Sequence, residues 1–363
     1  YSESLSHHHH NIIRIAKEEH TKADNGVIPR SILSEIKNKL ISTVNDKLKL
    51  ENEALHYSFH APKPNPIFIG RIEKMLELIS AMECEQLVII EGLGGMGKTQ
   101  LLLQALDNVK YHVPLIWVDI EKTESVSDLI FLLNNAASEY TGNTSPDLFI
   151  SSLQELQITF VFDSLEKLLI SDRDQTETFI EKLLTQCSNL QLIITSQIDL
   201  SVLDFHKKLV KLEGLNNVES DYLLSEFVDD NVNINNQNRL WFLDFCNGHP
   251  LSIKLTASLI KFYKSDTKVV SLLNDKANLL HPTRRKHDKS TSLDVCLFIV
   301  YNSITPEQEK ILQYLKFFPS GLKIEWAQSS SKHSISSADI AMLEQLFFIE
   351  TWEDQLNFER ISI

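Results

Sequence analysis

Cysteine is scarce in this chain, and the few present have no chemical spacing. Cys84, Cys187, Cys246 and Cys296 are spread through 363 residues with no C-x-x-C pair. That argues against a disulfide framework and a zinc ribbon, and favours a reducing, cytoplasmic setting. Positive charge is short as well. Lys and Arg number 35 against 49 Asp and Glu, a net of −14, so the chain lacks the global basic field that drives non-specific nucleic-acid binding. Only a local basic patch is left open. No run approaches the roughly 18 consecutive apolar residues of a membrane span, and the N-terminal stretch has no secretory pattern. Opening on Tyr1 and closing on Ile361-Ser362-Ile363, the sequence reads as a piece of a longer one. His7, His8, His9 and His10 form a tag remnant or low-complexity tract rather than a metal site. His56 and His60 are four apart but run into Pro62, Pro64 and Pro66 with no third ligand nearby, so they belong to a surface.

A chain of this length suggests about two to four domains. Ile32, Leu33, Ile36, Leu40, Ile41 and Val44 form one apolar helical stripe, and the proline-rich stretch 61–66 is a stiff linker. From Phe68 onward, strand and helix alternate. Continuous apolar runs at 87–90, 114–118, 158–162 and 190–194 predict strands buried on both faces, with a weaker strand at 209–212 and helices near 125–139 and 175–187. The fold class is α/β, a parallel sheet with helices on both faces. After Gly214 helices take over, at 218–228, 236–246, 250–263 and 267–278, up to a basic break at 281–287. Thr305-Pro306-Glu307-Gln308 is a strong helix start; the helix over 311–318 stops at Pro319. Residues 347–352 and 356–361 predict a terminal β-hairpin. Helices followed by a hairpin suggest a winged-helix domain. The expected division is 1–66, an N-terminal helical segment and linker; 67–214, a phosphate-loop domain; 215–290, a helical domain; and 291–363, the winged helix.

Gly92-Leu93-Gly94-Gly95-Met96-Gly97-Lys98-Thr99 satisfies G-x-x-x-x-G-K-[ST] directly after an apolar run. Glycines there let the backbone curl so that its N–H groups point inward, and the following helix offers its N-terminus to anionic phosphates. Gly92, Gly94, Gly95, Met96, Gly97 and Gln100 are therefore candidate nucleotide contacts. Lys98 would reach the β/γ-phosphates, and the Thr99 hydroxyl would hold Mg²⁺. Asp163, closing the apolar run 158–162, is placed to hold Mg²⁺ through a water; a helix N-cap is the alternative. Glu166 is either the base that activates a water or a solvated first-turn acid. Thr195, Ser196 and Gln197 close another strand, where ligands of open α/β folds bind; the hydroxyls either sense the γ-phosphate or cap the next turn.

Together these segments resemble one family, the STAND signal-transduction ATPases, and in particular their NB-ARC-like branch. The resemblance covers residues 67–363. Phe68-Ile69-Gly70-Arg71 resembles the motif whose backbone lies against the adenine, which implies that Ile69, Gly70 and Arg71 touch the nucleotide. Asp163-Ser164-Leu165-Glu166 resembles the family's second acidic motif, Ile193-Ile194-Thr195-Ser196 its first sensor strand, and Cys246-Asn247-Gly248-His249-Pro250-Leu251 the motif whose proline, Pro250 here, packs on the adenine. Two departures stand out. Gln197 occupies the position where an Arg usually meets the γ-phosphate, and a guanidinium would bond more strongly. No His is available around Phe358-Glu359-Arg360-Ile361-Ser362 to meet the ADP β-phosphate, so that contact is absent or made by Arg360. Both departures bear on hydrolysis more than on binding.

The resemblance implies a switch that binds ATP or ADP with Mg²⁺ and hydrolyses slowly if at all, with Lys98, Asp163 and Glu166 as catalytic residues. It implies that ADP holds the domains closed and that the ATP form opens and self-associates, in defence signalling or transcriptional control. Trigger and effector are not legible. A DNA-associated ATPase is the rival reading. Against it stand the acidic balance and the lack of a Lys/Arg-rich helix in 305–345; the cluster Arg284, Arg285, Lys286 reads as a solvated linker.

Overall fold

Strands that are apolar at nearly every position need cover on both faces, and here each face of the sheet has its own core. The computed structural model describes residues 61–363 apart from 63, 109–112, 143–144, 201–205, 229–231, 281–288, 319–321, 331–334, 354–358 and 363. The expected helix at 32–44, the histidine tracts and the basic cluster 284–286 lie outside these residues. In chain order the first unit runs α1 (Ile72–Cys84), β1 (Leu87–Glu91), α2 (Lys98–Asn108), β2 (Leu115–Asp119), α3 (Val126–Thr141), α4 (Phe149–Leu153), β3 (Ile158–Asp163), α5 (Glu166–Ser171), α6 (Arg173–Gln186), β4 (Leu190–Ser196) and β5 (Lys207–Lys211). Its strands form one sheet in the order β2-β3-β4-β1-β5, with every pairing parallel. Side chains alternate between the faces. Leu87, Ile89, Phe160, Phe162, Leu192 and Ile194 enter the core shared with α3, α4, α5 and α6. Val88, Ile90, Trp117, Val161 and Ile193 enter the core under α1 and α2.

Parallel strands end at one common edge. β1 leads into the glycine loop, β3 ends on Asp163, and β4 lies between them with Thr195 near its end. The chemistry-bearing residues are thereby gathered at the carboxyl edge, where such sheets bind ligands.

The helices that follow, α7 (Asn217–Phe227), α8 (Asn236–Cys246), α9 (Pro250–Tyr263), α10 (Asp266–Leu280) and α11 (Lys289–Tyr301), share a second core built on Leu224, Phe242, Phe245, Ile253, Leu273 and Cys296. Val295, Ile299 and Val300 of α11 belong to it, so the packed helical unit runs past residue 290. The last segment comprises α12 (Pro306–Leu315), β6 (Leu322–Lys323), α13 (Ile324–Ser330), α14 (Ser337–Gln345), β7 (Glu350–Glu353) and β8 (Glu359–Ser362). Ile311, Leu315, Ala327, Leu343 and Ile349 form its core, and its antiparallel sheet has the order β6-β8-β7. Thr305 caps α12 through a full capping box with Gln308.

Two element ends need correction, the first being the helix expected to reach 318, which ends at Leu315. The strand expected from 347 begins only at Glu350, because Phe347 turns into the left-handed region at φ 59° and the Phe348 amide bonds back to the Leu343 carbonyl at 2.9 Å. Residues 347–348 therefore terminate α14. β6, two residues long, has no periodicity that a sequence could display.

Candidate functional site

The glycine loop connects β1 to α2 through residues held where glycine is at home. Gly95 and Gly97 have φ of 71° and 86°, in the left-handed region that L side chains adopt at a cost. A Cβ on Gly97 would meet nothing within 4 Å, so its requirement is conformational; on Gly95 it would lie 2.7 Å from Leu251 Cβ and 2.9 Å from His249 Cε1. The loop is thus pressed against the start of α9. Lys98 is buried, and its Nζ donates to the carbonyls of Gly92 at 2.9 Å and Leu93 at 3.2 Å. Burial pulls its pKa down, opposed by the nearby carboxylates of Glu166, Asp163 and Glu121.

Behind the loop, Asp163 Oδ1 accepts from Thr99 Oγ1 at 2.9 Å and from Thr195 Oγ1 at 2.5 Å. Desolvation pushes this carboxyl up, and the two hydroxyls partly offset it. Asp163 does not cap α5, whose N-cap is Leu165 with no side-chain bond. The two hydroxyls at the end of β4 part company. Thr195 Oγ1, besides bonding Asp163, accepts from the Ser164 amide at 2.9 Å, while Ser196 Oγ closes a turn with both the amide and the carbonyl of Ile198. Oxygen donors of this kind suit a hard, small divalent cation: Thr99 would ligate it directly and Asp163 through water.

Gln197 joins three elements. Its Oε1 accepts from the Gly94 amide at 2.9 Å, its Nε2 donates to Glu166 Oε1 at 2.7 Å, and its own amide donates to Glu166 Oε2 at 3.3 Å. Glu166 is therefore tied to the loop rather than solvated alone.

A cleft of about 440 Å³ separates this edge from the helical unit. Gly94, Gly95, Met96, Gly97, Lys98, Thr99 and Gln100 line it, together with Glu166, Gln197, Ile69, Arg71 and Pro250. Several expected contacts lie behind its wall instead. Gly70, at φ 70°, leaves room for the Glu219 carboxylate, which a Cβ would meet at 2.1 Å; Gly92 packs on Leu212; Asp163, Thr195 and Ser196 are covered. Gln100 also holds the linker, its Oε1 accepting from the Asn65 amide at 2.7 Å. Arg71, at φ 61°, bonds Glu219 through its amide and the Glu213 carbonyl through its guanidinium, and burial lowers its pKa to about 10. Side chains around Arg360 fall outside the described residues.

The sequence reading missed Glu121, Asn65 and Lys254 as lining residues, and His249 as a contact to the loop. Glu121 follows β2 and its carboxyl is pushed up by burial and by Asp119, Glu166 and Asp163; an acid just past a buried strand end was the available signal. His249 carries no such signal, because its contact depends on how two units meet.

No protein-family model matches the chain, and no curated protein matches it in sequence. Among solved structures, it is similar to a STAND protein with a tetratricopeptide-repeat sensor from Pyrococcus horikoshii, at 15% identity and a TM-score of 0.53, over 83% of this chain and 42% of that one. A Walker-type ATPase of Pyrococcus abyssi matches at 12% identity and TM-score 0.47, over 85% of this chain and 97% of that one. Cdc6p from Pyrobaculum aerophilum matches at 15% and 0.38, over 86% and 93%. The chain spans under half the length of the P. horikoshii protein. What it shares with that protein is the fold, a parallel sheet of the P-loop type with helices on both faces and a helical unit after it.

Proposed function

We propose that this chain is the ATP/ADP-binding switch of a STAND ATPase of the NB-ARC-like branch. The observation that carries the reading is the position of the cleft. One wall is the glycine loop with Lys98, Thr99 and Glu166; the other is Pro250, Leu251 and Lys254 of α9. A nucleotide bound there would touch both units, and a ligand shifts a conformational equilibrium only through such differential contacts. Gly94 to Thr99 take the phosphates, and Phe68, Ile69, Leu215, Leu223 and Pro250 offer an apolar seat for a base. Mg²⁺ on Thr99 and Asp163 neutralises phosphate charge when bound. Lys98 adds a desolvated cation at the same place, and Glu166 is the group that would take a proton from an attacking water.

In this reading residues 67–214 form the nucleotide domain, the helices after 215 a lid, and the last segment a winged helix that completes the closed form. Opening with ATP exposes surfaces for self-association, in defence signalling or in transcriptional control. Titration calorimetry with MgADP tests the binding step. Wild type should bind and Lys98→Ala should lose most affinity, by a factor of about 100; equal affinity in the two proteins would reject the assignment of Lys98.

A further inference from the structure

Gly94 is held from two sides by residues of different units. His249 Nε2 lies 2.7 Å from the Gly94 carbonyl. His249 Nδ1 accepts from the Ser252 amide at 3.2 Å and faces Ser252 Oγ at 3.0 Å, and Ser252 Oγ in turn accepts from Ser292 Oγ at 3.3 Å. An acceptor at Nδ1 leaves the proton on Nε2, so the imidazole is neutral and donates to Gly94. The Gly94 amide, on the other face of the loop, donates to Gln197, and Gln197 donates twice to Glu166. A continuous chain of hydrogen bonds therefore runs from α11 and α9, through one loop residue, to the acid that faces the cleft. His249 and Ser252 are buried, so water competes little for their bonds, whereas the bonds of Gln197 to Gly94 and Glu166 are exposed.

We propose that His249 and Gln197 are positioning residues acting through Gly94: when the helical unit is docked, His249 fixes this segment of the loop, and Gly94 and Gln197 then hold the Glu166 carboxylate. Closure of α9 onto the loop and orientation of the acid become one event. For its catalytic consequence, the inference rests on the cleft being a nucleotide site.

The test uses the whole chain. His249→Asn keeps an N-cap acceptor for α9 but is too short to reach the Gly94 carbonyl; Gln197→Ala removes the other hold. In nucleotide-free protein, amide exchange over residues 92–97 should quicken about tenfold in each single variant, and the double variant should exchange no faster than the quicker single, since both act on one residue. Unchanged exchange in either single, or independent effects that multiply in the double, overturns the proposal. Gln197→Glu splits the chain at its second link: it keeps an acceptor for the Gly94 amide but sets a carboxylate against Glu166. Single-turnover ATP cleavage should fall about tenfold or more while exchange at 92–97 stays at the wild-type rate; normal cleavage rejects the Glu166 link. If wild type binds no MgADP, the nucleotide reading fails, and the exchange arm still decides this one.

Discussion

Asp163 sits where burial and function pull in opposite directions. Its carboxyl is nearly enclosed and its pKa is raised by desolvation, with the nearby Asp119 adding to the shift. A carboxyl whose folded-state pKa is raised makes the folded protein bind its proton more tightly than the unfolded chain does, so its ionisation costs stability above that pKa. Asp163→Asn keeps the Oδ1 acceptor for Thr99 and Thr195 and removes the charge. The variant should therefore melt at a higher temperature than wild type at neutral pH. That gain should shrink as pH falls through the raised pKa and vanish below the ordinary value of 3.8. Calorimetric melting across pH 3–8 checks the sign, and a variant less stable at every pH would contradict it. The same variant should lose Mg²⁺-dependent nucleotide affinity, because Asn is a poor partner for a hydrated divalent cation.

At the scale of elements, the joint between α8 and α9 sets where Pro250 meets the cleft. Asn247 and Gly248 both take left-handed conformations, at φ 48° and 70°, and the Gly248 carbonyl accepts from the Leu215 amide at 2.8 Å. A Cβ on Gly248 would lie 2.2 Å from the Leu215 carbonyl oxygen. Gly248→Ala should cost about 2 kcal/mol or more, read as a lower urea midpoint, and should move Pro250 away from the cleft. This joint was legible as a turn, since Gly ends one helix and Pro begins the next. β1 to β4 were legible for a related reason: burial on both faces leaves unbroken apolar runs. α11 was not, because the unbroken apolar run 295–301 covers every side of the helix and leaves no stripe. The hairpin start was misjudged because the same apolar pattern fits a strand and a helix end, and only the Phe347 dihedral separates them. Within the site, Gly92 to Thr99, Asp163 and Glu166 were readable from local pattern, whereas Glu121, His249 and the split between Thr195 and Ser196 depend on which groups tertiary packing brings within reach.

For the whole molecule, the question is what holds the helical unit against the sheet edge. Gly95 has no space for a side chain because Leu251 and His249 occupy it, so the close approach of the two units depends on a missing Cβ on one side and a Leu of fixed size on the other. Protein cores and interfaces are close-packed and bistable rather than continuously deformable. A clash here should therefore move α9 as a body and leave the interior of each unit intact. Gly95→Ala places a methyl 2.7 Å from Leu251 Cβ and adds left-handed strain of about 1 kcal/mol. Leu251→Trp adds bulk from the opposite side and leaves the loop backbone unchanged. Both variants, free of nucleotide, should show a larger radius of gyration by small-angle scattering and faster proteolysis between residues 212 and 218, with far-ultraviolet circular dichroism unaltered. Agreement between the two separates domain opening from a local defect in the loop, since only Gly95→Ala touches the phosphate-loop backbone. If Leu251→Trp scatters like wild type and Gly95→Ala alone changes, the helical unit is held by other contacts, and the closed arrangement does not depend on this glycine.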